Sequence, residues 1–158
     1  MKQKLLILIF GLTSVSNIIA QNIKRPENYN YQRGVEAIQN EKPEEALKYF
    51  NKDVQENPKN GYSFSWIALL REHNQEFGKA ITAADQAIKL LPKKDIEYVV
   101  FAYATRSDVY LQLGDTIKAL SDLASAIKVN PESTSMYEKR AQIYYEQAKY
   151  ELADTIRK

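Results

Sequence analysis

The sequence contains no cysteine and a single histidine, His73, among its 158 residues. That excludes disulfides, thiol nucleophiles and Cys- or His-based metal clusters, and with them the acylated cysteine of a bacterial lipoprotein. Only five glycines and five prolines occur, while charged residues make up 27% and apolar residues 44%. Such a composition argues against a disordered chain and suits helices with a solvated face and an apolar one. A surplus of either charge is also missing. The 22 lysines and arginines exceed the 20 acids only through Lys2 and Lys4, which stand in a twenty-residue opening segment that holds no acid. The remainder is balanced and has no cationic run, whereas nucleic-acid binding draws on clustered cations that release counterions from phosphate. Nucleic acid is therefore not an expected partner.

Catalytic constellations are absent as well. His73 has no serine or aspartate at a spacing that forms a dyad. Glu44 and Glu45 are adjacent; on a helix such neighbours point in different directions, and acids in a first turn answer the helix dipole. There is no glycine-rich phosphate loop. The chain is expected to be no enzyme and to need no cofactor or metal.

What is present begins with Lys2 and Lys4 ahead of Leu5-Leu6-Ile7-Leu8-Ile9-Phe10, a run that stays largely apolar to Ala20. A charged start, a short apolar core and a small residue at its end read as a secretory signal peptide over residues 1–20, cleaved after Ala20. From Leu5 to Ala20 the stretch is interrupted by Thr13, Ser14, Ser16 and Asn17, and it falls short of the ~20 apolar residues a membrane span requires. The expectation is a periplasmic or secreted protein with no stable membrane span after cleavage. Residues 21–26 would form a short linker.

Beyond it the chain repeats. Ala46, Ala80, Ala119 and Ala153 are spaced by 34, 39 and 34 residues, and Pro58, Pro92 and Pro131 by the same 34 and 39. Twelve residues before each alanine stands a small residue: Gly34, Ala68, Ser107 and Ala141. Sixteen before, three of the four places are aromatic, namely Phe64, Tyr103 and Tyr137. Within 79–91, Ala80, Ile81, Ala84, Ala87, Ile88 and Leu91 recur at three- and four-residue steps, the stripe of an amphipathic helix. Each period therefore reads as a pair of helices, with small residues where their axes approach closely. The prolines close each unit, because proline cannot continue a helix. Gln75–Gly78 and Gly114-Asp115 mark the turns inside units.

At these positions the chain resembles the tetratricopeptide repeat family, from Glu27 onward. The resemblance implies an all-α fold, a right-handed superhelix of antiparallel helix pairs with units at 27–60, 61–94 and 95–133 and an incomplete fourth at 134–158. It also implies a concave face, lined by the first helix of each pair, that holds a peptide or a partner helix. By that geometry the groove residues are Tyr31 and Val35 in the first unit and Tyr62, Ser65, Leu69 and His73 in the second. Phe101, Asp108 and Gln112 follow in the third, and Glu138 and Gln142 in the fourth. The carboxylate clamp of the family's best-known variant needs Lys, Asn and Arg; its first-unit places hold Tyr31 and Val35, so that clamp is not expected.

Three departures carry further expectations. Five extra residues fall in the third unit around 93–99 and, if helical, lengthen its first helix by ~7–8 Å into a ledge. Asp53 replaces the small residue found at Ala87 and Ala126; because a buried unpaired charge is costly, that face of the first unit is expected to lie open to water. The fourth unit lacks a closing turn and proline, which suggests a longer native chain or a partner or second copy on the end face. Finally, Asp115-Thr116-Ile117 resembles a bacterial O-glycosylation sequon, but helix capping by Asp115 accounts for it better.

Overall fold

The computed structural model describes residues 26–156, with side chains up to Lys149. The expected signal peptide, residues 1–20, and most of the expected linker fall outside the described residues. Seven helices and no strand occur among the described residues: α1 Tyr29–Gln39, α2 Pro43–Glu56, α3 Gly61–His73, α4 Phe77–Leu90, α5 Ile96–Gln112, α6 Thr116–Val129 and α7 Thr134–Ile156. None is long and apolar enough to cross a membrane.

Short polar side chains start the first helices of the units. Asn28, Asn60 and Asp95 each accept a hydrogen bond from a backbone amide in the first turn of α1, α3 and α5. Each satisfies a donor that has no partner within its helix. Asp115 does the same for α6 by accepting from the Lys118 amide at 3.1 Å, so the capping reading of Asp115-Thr116 holds. Pro43 opens α2, with Glu44 and Glu45 in its first turn.

The turns inside the first three units share one device. Glu41, Gln75 and Gly114 have φ of 56°, 60° and 78°, and each stands five residues before its unit's alanine. Reversal in so few residues requires the left-handed conformation, which glycine adopts without strain and other residues adopt at a cost. In the fourth unit the matching place is Ala148, a strong helix former, and there the chain does not turn. Instead α7 runs on as one helix of 23 residues. Gly78 also departs from its sequence reading, since it lies in the first turn of α4 and not in the bend.

Packing follows the small-residue register. Ala46, Ala80 and Ala119 are completely buried, as are Ala68 and Ser107 opposite them. The Ser107 hydroxyl donates to the Ala119 carbonyl at 3.1 Å, direct evidence that these two places meet. Ala141, which has no second helix to meet, is exposed, and Tyr137, Tyr144 and Tyr145 of α7 are 40%, 53% and 64% exposed. Met136 and Ile143 on the opposite side of α7 are buried against α5 and α6. Arg106 ties units two and three by donating to Asp122 of α6 at 2.6 and 2.8 Å and to Asp85 of α4. These bonds, that to Asp122 first, hold its guanidinium more firmly charged than usual.

Two expectations are corrected or sharpened. Asp53 is not open to water: it is fully buried. Its carboxylate accepts from Asn57 at 3.1 Å, and from Asn60 and Ser63. The unit-to-unit linker and the start of α3 thus supply the hydrogen bonds that bulk water would have supplied. Four of the five extra residues are helical, since α5 has 17 residues against 13 in α3. They form no outward ledge, however, because Tyr98 and Val99 in the added turn are buried.

Candidate functional site: the inner face

The first helices of the units are bonded directly to one another, which makes them the inner wall of the stack. Tyr31 of α1 and Tyr98 of α5 bring their hydroxyls to 3.1 Å. Gln112 of α5 donates to Glu72 of α3. Lys139 of α7 donates to both carboxylate oxygens of Asp108 of α5 at 2.6 Å.

Along this wall the residues expected to line a groove divide by depth. Tyr31, Tyr62, Ser65, Leu69 and Phe101 are buried. They form a floor, and the Ser65 hydroxyl is spent on the Gly61 carbonyl at 3.0 Å. Val35 and Asp108 are half-buried, while His73, Gln112, Glu138 and Gln142 are exposed. Gln142 also donates to Glu146 at 2.8 Å. The floor is aromatic: Tyr62 and Tyr98 meet edge to face at 4.9 Å, and Trp66 meets Phe101 at 5.5 Å. Beneath it Phe50 stacks on Trp66 with centroids 6.0 Å apart.

Above this floor an open cleft of about 290 Å³ is lined by Tyr31, Gln32, Val35, Glu36, Gln39 and Tyr98. Further along, Glu72 is half-buried. Loss of solvent pushes its carboxyl above the usual range; the Gln112 amide opposes that shift and the nearby Asp108 charge adds to it. The inner face therefore offers amides and carboxylates over aromatic rings, chemistry suited to holding a polypeptide.

Sequence reasoning missed Tyr98, Glu72 and Lys139. Tyr98 lies in the insertion, where the repeat register has no counterpart. A signal was nevertheless present, because Tyr98, Phe101, Thr105, Asp108 and Gln112 form one stripe at three- and four-residue steps.

A profile of the tetratricopeptide repeat matches residues 31–95 and 105–155, and the chain belongs to that family. It is 28% identical over 118 residues to a TPR repeat-containing protein of Methanocaldococcus jannaschii, an alignment covering 75% of this chain and 20% of that protein. The chain thus spans about a fifth of that relative's length. Among solved structures it is similar to the first TPR of Spaghetti (RPAP3) bound to the HSP90 peptide SRMEEVD. That match has a TM-score of 0.66 and 18% identity, and covers 75% of this chain and 93% of the other. It is also similar to the TPR2B domain of yeast Sti1 in complex with pHsp70, with a TM-score of 0.62, 20% identity and coverage of 77% and 94%.

Proposed function

We propose that this chain is an exported binding module, not a catalyst, which holds a peptide or helix of another protein against its inner face. The observation that carries the reading is the layered inner wall, where exposed Gln39, His73, Gln112 and Gln142 stand beside a buried aromatic floor. Two structural neighbours are bound to an HSP90 peptide and in complex with pHsp70, which supports recognition as the use of such a wall. Their chemistry does not transfer. With Tyr31 and Val35 at the clamp places an acidic tail finds no cationic clamp; the nearby Lys139 is already held by Asp108, and Glu72 would repel the tail. The expected partner segment is neutral or cationic, with apolar anchors.

Gln39→Arg combined with Gln142→Arg should leave the helical content intact and reduce retention of the partner captured from native cell extract by about tenfold, as a charge that meets like charge or is buried unpaired against an apolar segment costs over ~1 kcal/mol. Lys89→Glu on α4 should change nothing. Equal retention by both variants would sink the assignment. Export rests on Lys2, Lys4 and the apolar run to Ala20. An intact mass of the protein from its native cell is expected to lack residues 1–20, and a mass that retains them refutes export by cleavage.

A further inference from the structure

α7 is covered on one side only. Met136 and Ile143 are buried against the third unit, and Lys139 is held by Asp108 of α5. On the opposite side Tyr137, Ala141, Tyr144 and Ala148 recur at steps of four, three and four residues, and all four are exposed. Such steps keep them in one row along the helix, with exposed Tyr145 beside it. The repeat register shows that a row of this kind meets a helix. Tyr137 holds the place of Phe64 and Tyr103, which are half-buried, and Ala141 the place of Ala68 and Ser107, which are completely buried. In those units a second helix of the same chain, α4 or α6, follows a left-handed turn residue. α7 has Ala148 at the turn place and continues as a helix to Ile156, so that stretch does not fold back over the row.

Two patterns fit this row to a reversed copy of itself. Large and small residues alternate along it, and reversal sets each tyrosine against an alanine, Tyr137 opposite Ala148 and Tyr144 opposite Ala141. Small residues let the helix axes approach, and the rings fill the hollows left between them. A parallel copy in register would set ring on ring. The second pattern is charge. Glu138 and Lys149 are exposed and stand eleven residues apart, about three helical turns, so they share one flank of the row. Reversal brings Glu138 of one copy opposite Lys149 of the other, twice over, whereas a parallel copy would oppose like charges. We propose that two copies of this chain pair through α7, antiparallel and related by a two-fold axis, with these tyrosines over these alanines and Glu138 beside Lys149 at both ends. A contact of that kind closes on itself at two copies. A foreign helix has no cause to carry the reversed order of rings and charges, and this chain's own α7 supplies it. The pairing goes beyond the inner-face reading and stands without it. One helix face is small against the ~1,200 Å² that specific, stable interfaces bury at the least, so the dimer is expected to form at micromolar concentrations and to dissociate on dilution.

Sedimentation equilibrium of the whole purified chain over a range of concentrations tests this. Wild type is expected to pass from monomer to dimer and no further. Ala141→Glu, at an exposed place, should keep the helical content and weaken the dimer about tenfold or more, because a charge then stands where a ring must pack closely. Glu138→Lys and Lys149→Glu should each weaken it severalfold, since each sets like charges opposite one another. A mixture of those two variants should recover wild-type affinity, because both cross-pairs are then of opposite charge. That recovery reads the antiparallel register itself, and it decides the matter should Ala141→Glu fail to fold. A monomer at every concentration overturns the proposal, as does a dimer indifferent to Ala141→Glu. So does a mixture no tighter than its components. Capture of a different protein that Ala141→Glu abolishes, from a chain that forms no dimer, assigns the face to another occupant and overturns it as well.

Discussion

Phe50→Ala is expected to lower the free energy of unfolding by about 3–5 kcal/mol, the cost of a large cavity under an aromatic core. Phe50 is completely buried on α2, stacked on Trp66 and 5.9 Å from the Tyr31 ring. It therefore joins units one and two and supports the floor of the inner face. The fit extends to the opposite helix, where a Cβ built on Gly34 would come within 2.6 Å of the Phe50 ring. Gly34→Ala should for that reason destabilise by ~1–3 kcal/mol through overpacking, even though alanine in a helix interior is normally favoured over glycine by ~1 kcal/mol. Combined with Phe50→Leu it should cost less than the sum of the two, as expected of residues that touch. Urea unfolding monitored by circular dichroism measures all three. A loss under ~1 kcal/mol for Phe50→Ala would show that the joint is not packed as described.

Asp53→Ala should cost about 3 kcal/mol, because it strands two buried donors and one half-buried one, whose charge-assisted bonds are worth ~1.5–3 kcal/mol each before the relief of burying a charge is subtracted. Asn57 and Asn60 in the linker and Ser63 in α3 all point their hydrogens at this one carboxylate. Asp53→Asn keeps one oxygen acceptor and should lose about half as much. The same unfolding measurement separates the two variants. Equal stability of wild type and Asp53→Ala would mean that the network does not set the geometry between units one and two.

The sequence reveals the architecture for a simple physical reason. Helix pairs that pack closely need small residues at fixed places, and Gly34, Ala68, Ser107 and their alanine partners display that need at a constant interval. What it conceals are features that depend on residues far apart in the chain. Asp53 reads as an intrusion until Asn60 and Ser63 fold over it. Depth within the groove is hidden for the same reason. Tyr31, Tyr62 and Phe101 point inward as periodicity implies, but contacts with Phe50, Trp66 and Tyr98, drawn from three units, make them a covered floor. The fourth unit shows the limit of a register. Ala153 keeps the spacing, yet Ala148 stands where a left-handed turn residue is needed, and α7 continues straight.

The site is legible to a lesser degree than the fold. His73, Gln112, Glu138 and Gln142 are exposed and available for contact, whereas Ser65 and Leu69 lie beneath the surface. Helical periodicity identifies a face, and burial then depends on which neighbour supplies the next side chain.

The central claim, recognition by the inner face, is tested most directly by site-specific photocrosslinking in the native cell. A photoreactive side chain placed at Gln142, on α7, is compared with one placed at Lys89, on α4. The account predicts a discrete adduct with another polypeptide from position 142 and none from position 89. Adducts from position 89 alone, or equally from both, would contradict it.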